Sequence, residues 1–416
     1  MTGGRGTSSG AFRLLWSAAT ATSLGDGIRL VALPLLAVRT VDSPALVASV
    51  VAAGYLPAIV FGSFAGTIAD RVRIPRLLVG THVVRALTLL ALAGVVVLSQ
   101  ASLPWLWVTA LVYGTCEALA DPAATALLPR IVPTRELARA NARLQAGQSA
   151  AEDFVGRALG GILFAIAAAL PVLINAALLV LAAVLALRLP RASEVERSQA
   201  VRTEGFLMSW WAGLRTVAST GLLRSTALLI GGWNLSYGAY TGIAVVYAVQ
   251  TLHAGASGVG LLLSAAAVGS LSATFLTLRL IAVTGAATTA TVTVTLSAAA
   301  MLGLASAPTG WVAAPLIALD GFAIMAWNIL SVSARQAVIP RELLGRATSV
   351  TRVLASAAVP AGAALGGLVA QSMGPPAALL AGAGTVLVTG AVALPGLVPI
   401  LRRIWPRGAD GPSIAR

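Results

Sequence analysis

Six carboxylates lie inside long apolar runs of this sequence, where charged side chains are uncommon. They are Asp26, Glu117, Asp121, Glu152, Asp153 and Asp320, and the arginines Arg29, Arg85 and Arg157 lie at the same depth. If the runs cross a lipid bilayer, a charge at its middle costs about 2.5–3.5 kcal/mol, so six unpaired carboxylates would cost on the order of 15–20 kcal/mol. A typical protein is stable by only about 5–15 kcal/mol. The acids must therefore be paired, hydrated or protonated.

Two of the arginines stand one helical turn from an acid. Arg29 follows Asp26 at i+3, and Arg157 follows Asp153 at i+4. These spacings put both members of each pair on one helix face. We expect the ion pairs Asp26–Arg29 and Asp153–Arg157, with Arg85 taking a third acid. Three carboxyls then remain for water, hydrogen bonds or protonation.

Glu117 and Asp121 stand one turn apart on one face of the fourth apolar run. Burial without a cation raises the pKa of a carboxyl group, so a carboxyl whose surroundings alternate between dry and wet can take up and release a proton. Intramembrane acids of this kind form proton relays. We therefore expect these two residues to carry protons, Glu117 foremost because it lies nearer mid-span. For each acid the alternative is a structural pairing with a neighbouring helix.

A second group of side chains could bind an organic molecule. In the seventh apolar run, aromatic and hydrogen-bonding residues recur at helical spacing, and the tenth run repeats a Trp-Asn pair. They are Trp233, Asn234, Tyr237, Tyr240 and Thr241, with Trp327 and Asn328. Such a face suits an amphipathic small molecule, because aromatic residues offer apolar contact and hydrogen bonding together. The alternative is that the rings pack in the core.

The composition identifies the apolar runs as membrane spans. The chain of 416 residues is 58% hydrophobic and 10% charged, against roughly 25% charged residues in soluble proteins. All 28 basic residues are arginine, and the absence of lysine removes both the phosphate-binding lysine of nucleotide hydrolases and a Schiff-base lysine. We predict an integral membrane protein that is not an enzyme and needs no cofactor. The two histidines show no metal-binding spacing.

Twelve runs are long enough to span a bilayer, at about 20 residues each. They lie near 14–39, 44–68, 77–98, 104–127, 137–169, 171–188, 222–250, 257–281, 285–305, 310–334, 343–373 and 375–400. The predicted fold is all-α, with twelve transmembrane helices in two pseudo-symmetric six-helix halves. The halves are residues 1–188 and 222–401, joined by a polar linker at 189–221 and followed by a tail at 402–416.

The net charge of +14 is concentrated in the connections between the runs. Twenty-four arginines fall in the termini and in alternate connections, and only Arg39 falls in the opposite ones. Because arginine is retained on the cytoplasmic side of a membrane, we predict that both termini and the linker are cytoplasmic. The distribution is typical of a topology signal, so membrane lipids are expected partners and nucleic acid is not.

One stretch of the sequence occurs twice. Pro133–Gly161 and Pro340–Gly367 share an opening proline, an Arg-Ala pair and a closing Ala-Leu-Gly-Gly, with an offset of 207 residues at the start and 206 at the end. Repeats of half a chain are typical of duplicated membrane-helix bundles, in which the binding site lies between the repeats near the bilayer midplane. Only the first copy carries the charges Glu152, Asp153 and Arg157.

The end of the second run and the connection after it read GTIADRVRIPR over residues 66–76. This stretch resembles the signature loop of the major facilitator superfamily, although Arg73 replaces a glycine. The matching positions are Gly66, Asp70, Arg71 and Arg76. The resemblance implies that Asp70 and the arginines latch the two halves on the cytoplasmic side, with Asp70 at a helix N-terminus near 343–346. The alternative is that the arginines only set the topology.

The first repeat ends in Gly156-Arg157-Ala-Leu-Gly160-Gly161. This resembles the antiporter motif of the same superfamily with Arg157 in place of its proline; alternatively, small residues at this spacing only let two helices approach closely. The segment 127–149 is similar to the bacterial branch that includes macrolide-efflux proteins and the enterobactin exporter.

These resemblances imply a monomeric, proton-coupled exporter of an amphipathic small molecule, a drug or a secreted natural product, in the bacterial cytoplasmic membrane. Two alternatives stay open on the same fold. One is an importer or uniporter of a small polar solute. The other is a substrate-free membrane protein that serves as an assembly partner or sensor, because a fold does not fix a function.

Overall fold

The computed structural model of the protein describes residues 4–61, 73–189, 215, 220–338 and 341–404. These residues form helices with short connections and contain no strand. The first six helices are α1 (Gly4–Thr40), α2 (Pro44–Phe61), α3 (Ile74–Val97), α4 (Leu103–Ile131), α5 and α6 (Leu170–Leu187). Helix α5 consists of Leu137–Ser149, a π-helical stretch Ala150–Gly156, and Arg157–Ile166.

Six more helices follow the predicted linker. They are α7 (Gly221–Val246, continued by a π-helical stretch Tyr247–Thr251), α8 (Ala256–Thr284), α9 (Ala286–Ala305), α10 (Gly310–Val338), α11 (Arg341–Met373) and α12 (Pro375–Ile404). The predicted all-α fold of twelve helices is thereby confirmed in the described part of the chain.

Prolines and glycines set several of the helix ends. Helices α3, α4 and α6 each carry a proline in the first turn, where the missing N–H has no helical partner in any case. Helices α8 and α9 are separated by Gly285 alone, with a φ of 85°. Gly374, with a φ of 87°, stands between α11 and α12. Both backbones are in the left-handed region that glycine tolerates, so the chain reverses within one residue.

Nine of these helices, among the residues described, are long and apolar enough to cross a membrane. The three that do not meet this criterion are α4, α5 and α7, which together carry half of the predicted site residues. The outward faces are apolar as well, since Ile166 and Phe275 are each 70% exposed and Val388 is 64% exposed. Large apolar side chains on an outer surface are expected where lipid is the solvent.

The helices form two compact units. Unit 1 contains α1 to α6 together with His253–Ser264, which includes the first turns of α8. Unit 2 contains α7, the rest of α8 from Ala265, and α9 to α12. The predicted boundary at 189–221 falls mostly outside the described residues and stays a prediction.

Close backbone contacts hold unit 1 together. A methyl group added to Gly114 in α4 would lie 2.2 Å from the carbonyl oxygen of Gly54 in α2. One added to Gly27 in α1 would lie 2.2 Å from the carbonyl oxygen of Glu152 in α5. Glycine at such positions lets helices approach closely enough for van der Waals contact between backbones. These contacts bring the polar side chains of α1, α4 and α5 near one another.

Unit 2 uses the same device between α7 and α11. A methyl group on Gly238 would lie 2.0 Å from the carbonyl oxygen of Val359, and one on Gly362 would lie 2.0 Å from that of Leu235. A core of Ala, Leu and Val from α7, α9, α10 and α12 encloses the indoles of Trp233 and Trp327. The two units therefore share a construction that depends on small residues.

Candidate functional site: charged and polar clusters within the helices

A buried cluster in unit 1 is centred on Tyr113 of α4. Asp26 accepts hydrogen bonds from the guanidinium of Arg85 and, at 2.7 Å, from the hydroxyl of Tyr113. Asp26 is 8% exposed and Arg85 1% exposed, while Tyr113 is fully enclosed. The Tyr113 hydroxyl also lies 3.4 Å from the amide of Asn175 in α6. Both charges of this pair are thus neutralised inside the helix bundle, as a dry site requires.

The second ion pair of the cluster is more open. Arg29 donates to Glu117 over 3.3 Å, and the Glu117 side chain is 37% exposed. Two guanidiniums lie over the Tyr113 ring, with the Arg29 carbon 4.2 Å and the Arg85 carbon 3.8 Å from its centroid. Because the faces of an aromatic ring are electron-rich, both cations are attracted to it. Tyr113 therefore holds two like charges close together. We call Asp26, Arg29, Arg85, Tyr113 and Glu117 the Tyr113 cluster.

The predicted ion pair between Asp26 and Arg29 is wrong. Asp26 pairs with Arg85 and Arg29 pairs with Glu117. The reason lies in how α1 faces α4: Asp26 and Arg29 are one turn apart, as are Tyr113 and Glu117. Asp26 consequently contacts Tyr113, and Arg29 contacts Glu117. Glu117, which we expected to be unpaired, is therefore paired with a cation.

The predicted pair of Asp153 and Arg157 is present in α5, with 2.7 Å between the side chains. Arg157 also donates to the carbonyl oxygen of Leu263 in α8, over 3.3 Å. Beside it, the Ser264 hydroxyl donates to the carbonyl oxygen of Phe154 over 3.2 Å. Phe154 belongs to the π-helical stretch, where i+5 bonding loosens the regular pattern of backbone hydrogen bonds. The arginine in place of the motif's proline thus joins α5 to the beginning of α8 within unit 1.

Two of the predicted intramembrane acids in unit 1 have no ion-pair partner in the described part of the chain. Asp121 and Glu152 form no ion pair with any residue that the structure describes. The Asp121 side chain is exposed and Glu152 is half-buried. Both lie within electrostatic range of Glu117 and Asp26. Arg85 acts on Asp121 and Arg157 acts on Glu152 from a distance, but within the described helices of unit 1 neither acid has an arginine of its own.

Asp320 of α10 lies in unit 2 with neutral partners. Its Oδ1 accepts a hydrogen bond of 2.5 Å from the hydroxyl of Ser297 in α9. The Ser297 oxygen in turn accepts one of 2.9 Å from the indole nitrogen of Trp233 in α7. Asp320 is half-buried, and Ser297 is fully enclosed.

The structure divides the predicted aromatic face. Trp233 and Trp327 are 5% and 4% exposed in the core of unit 2, with ring centroids 5.4 Å apart, so the packing alternative holds for them. On the same two helices, Asn234, Tyr237 and Tyr240 are half-buried, and Asn328 is exposed. Helical spacing assigns residues to one side of a helix but does not predict how deeply each side chain is buried. The indoles are the buried ones because their burial removes the most apolar surface from solvent.

The gating-loop residues Gly66, Asp70 and Arg71 lie outside the described residues, so the structure does not test the predicted latch. Arg76 is described and is exposed in the first turn of α3.

Sequence analysis missed Tyr113, Asn175 and Ser297. Tyr113 stands one turn before Glu117 in an apolar span, and that spacing could have associated it with the charges. Ser297 is one of many hydroxyl residues in α9, most of which donate to a carbonyl of their own helix, so no sequence signal distinguishes it.

Solved structures of membrane transporters share this fold over nearly the whole chain. A bacterial homologue of the iron transporter ferroportin, in an inward-facing state, is 15% identical with a TM-score of 0.75, and the match covers 93% of this chain and 98% of that one. A bacterial homologue of the human lysosomal transporter Spinster is 14% identical with a TM-score of 0.73, covering 98% and 100%. A mutant of the nucleoside transporter NupG is 12% identical with a TM-score of 0.73, covering 93% and 99%. At these identities the likeness shows the fold, which is that of the major facilitator superfamily.

Residues 6–403 match the sequence family described as transmembrane secretion effector. The chain belongs to this family of major facilitator transporters. It is a multi-pass membrane transporter and not an enzyme. No protein among the curated ones matches its sequence.

Proposed function

We propose that this transporter is a proton-coupled exporter of an amphipathic small molecule, working by alternating access in the bacterial cytoplasmic membrane. The observation that carries the proposal is that two carboxylates within the helices of unit 1, Asp121 and Glu152, form no ion pair with any described residue. A membrane-embedded acid without a fixed cation is costly unless it exchanges a proton or meets water. The family description, which refers to secretion, supports the outward direction.

Glu117 is the acid that we propose takes up the coupling proton. Its contact with Arg29 is long and partly open, whereas Asp26 and Arg85 are enclosed. Protonation would remove the charge of Glu117 and release Arg29, which the Tyr113 ring would still hold in place. Asp121 and Glu152 lie within electrostatic range, so the three carboxyls would titrate as a coupled set.

The substrate is proposed to contact the partly exposed side chains Asn234, Tyr237, Tyr240 and Asn328 and not the two buried tryptophans. The loop residues Gly66, Asp70, Arg71 and Arg76 are proposed to stabilise the state that is closed to the cytoplasm. The protein is proposed to act as a monomer, with both termini cytoplasmic because the arginines are concentrated on that side.

Substitution of Glu117 by glutamine tests the coupling. In cells that lack their own pumps, the wild-type protein should lower the accumulation of an amphipathic dye such as ethidium. In proteoliposomes, Glu117→Gln should abolish dye movement driven by a pH gradient and spare dye binding and exchange between equal concentrations. The expected loss is roughly a hundredfold or more, comparable to the contribution of a positioned proton-transfer group.

Glu136→Gln is the matched control, because Glu136 lies in the connection between α4 and α5 with its side chain 58% exposed. It should transport normally. A Glu117→Gln protein that still pumps against a gradient with an unchanged pH profile would remove Glu117 from the mechanism. Dye accumulation in place of efflux would favour the importer, and the absence of any substrate-linked proton movement across a broad compound panel would favour the sensor.

A further inference from the structure

Asp320 stands apart from the acids of unit 1. It lies in the interior of α10, and none of the residues described forms an ion pair with it. Its Oδ2 accepts no hydrogen bond from the described part of the chain, whereas Oδ1 is bonded to Ser297. This acid has one occupied oxygen and one open oxygen in a half-buried position.

The hydrogen bonds that lead to Asp320 have a direction. An indole N–H can only donate, so Trp233 donates to the Ser297 oxygen and leaves the Ser297 hydrogen free for another acceptor. That acceptor is Asp320 Oδ1, at 2.5 Å. An O···O distance in this range is typical of a hydroxyl that donates to a charged carboxylate. The chain Trp233 to Ser297 to Asp320 therefore stabilises the ionised acid without a cation.

The elements packed around Asp320 bring no charge to it. Helix α9 contains no ionisable residue. Among the side chains that the structure describes on the other helices of unit 2, the ionisable ones are Arg224, Tyr237, Tyr240 and Tyr247 on α7, Arg279 on α8, Arg335 on α10 and Arg402 and Arg403 on α12. Among the described residues, Ser297 is the group that acts on the Asp320 carboxyl, and no charged side chain lies within electrostatic range. A change of protonation at Asp320 would therefore change the net charge of this region.

We infer that Asp320 is a second proton-exchange site, located in unit 2, and that Ser297 and Trp233 are the residues that position it. This inference deepens the proposed proton-coupled export and rests on it for its role in transport. The proton is taken from a water molecule or hydronium ion and forms the O–H bond on Oδ2, because Oδ1 is occupied by the Ser297 hydroxyl. The reverse step returns the proton to water, so neither oxidant nor co-reactant is needed. Unit 1 pairs Asp26, Glu117 and Asp153 with arginines, whereas the acid of unit 2 relies on a neutral donor chain.

Infrared difference spectroscopy of the detergent-purified protein tests this without a substrate. Between mildly acidic and mildly alkaline buffer, the wild-type protein should show the C=O band of a protonated carboxyl that Asp320→Asn lacks. In Ser297→Ala the proton affinity behind that band should rise roughly tenfold or more, because the ionised form has lost a charge-assisted hydrogen bond. Trp233→Phe should give a smaller change in the same direction, since Ser297 keeps its hydroxyl but loses the donor that polarises it.

Two controls carry the same chemical changes elsewhere. Thr295→Ala removes an exposed hydroxyl from the same helix, and Trp311→Phe alters an indole that is 91% exposed. Neither should move the band. If Ser297→Ala does not fold, Trp233→Phe still tests the role of the donor chain. An unchanged titration of the carboxyl band in that variant would overturn that role. A wild-type spectrum without a carboxyl band that Asp320→Asn removes would overturn the proton site itself.

The outcome is separable from that of the proposed function. If Glu117→Gln still pumps normally while Asp320 exchanges its proton, the proposed coupling through unit 1 fails and the site in unit 2 stands. If Glu117→Gln blocks export and Asp320 never changes protonation, the inference about unit 2 fails alone.

Discussion

Helices α5 and α11 come from the same repeated stretch of sequence, yet only α5 has a π-helical segment. The offset between the copies falls from 207 to 206 residues, so the first copy is longer by one residue. A π-helical turn bonds residue i to i+5 and so contains more residues than an α-helical turn. The stretch Ala150–Gly156 can therefore house the additional residue, while α11 is α-helical over Arg341–Met373.

The two helices also share their mode of packing. Gly156 in α5 lies against α1, and a methyl group added to it would lie 2.8 Å from the Leu24 carbonyl oxygen. Gly362 in α11 lies against α7 in the same manner, close to the Leu235 carbonyl oxygen. Only the first copy has Glu152, Asp153 and Arg157 at this contact. Both copies therefore have close helix contacts, and they differ in one residue of length and in the acids that only the first copy carries.

Deletion of single residues should have the largest effect, because it should separate the two helices by their yield of folded protein. Removing Ala150 should convert the π-helical stretch to α-helix and keep the glycines at both ends in register. Removing Ala357 from α11 should rotate one end of that helix by about 100° relative to the other, because no additional residue is present to absorb the loss. We expect the Ala150 deletion to yield folded protein by fluorescence-detected size exclusion and the Ala357 deletion to yield none. Equal yields would separate the π-helical stretch from the difference in repeat length.

Adding one methyl group to each packing glycine should show what the copies have in common. Gly362→Ala would place a carbon 2.0 Å from a backbone oxygen, and Gly156→Ala would place one 2.8 Å from three backbone atoms. Overpacking of this kind costs about 1–3 kcal/mol or more. Both variants should melt several degrees below the wild type in detergent, Gly362→Ala lowest. Gly231→Ala is the control because nothing lies within 4 Å of the added carbon.

The smallest effect is expected at the ion pair Asp153–Arg157, which has no counterpart in the second copy of the repeat. Asp153→Asn would leave Arg157 with the Leu263 carbonyl but without its carboxylate. Breaking a fully buried pair costs about 3–5 kcal/mol, and the 35% exposure of Asp153 places the loss lower, at roughly 1–2 kcal/mol. Thermal unfolding should detect it, with the exposed Asp42→Asn as control. An unchanged melting temperature would mean that water already replaces the pair.

Most of the fold was predictable because nine of the described helices are each long and apolar enough to indicate a membrane span. The pairing of charges was not, because it depends on which helix lies alongside. Asp26 and Arg29 have the spacing of an ion pair within one helix, but Asp26 pairs with Arg85 on α3 and Arg29 with Glu117 on α4. The burial of Trp233 and Trp327 could not be predicted for the same reason. Periodicity describes one helix, whereas burial depends on the helices packed around it. The pair of Asp153 and Arg157 was predicted correctly because both residues lie in the same helix, one turn apart.

Helix α8 belongs to both compact units. Its first turns, through Ser264, pack in unit 1, and its continuation from Ala265 packs in unit 2. If the chain were cut in the linker and its two fragments produced separately, the fragment with α1 to α6 would lack a segment that its own structure includes. The fragment with α7 to α12 would carry that segment without its partner residues, Phe154 and Arg157 among them. The second fragment would hold the segment that the first one lacks, much as one protomer supplies an element to another in a domain swap, so the pair should accumulate in cells only when both are made together.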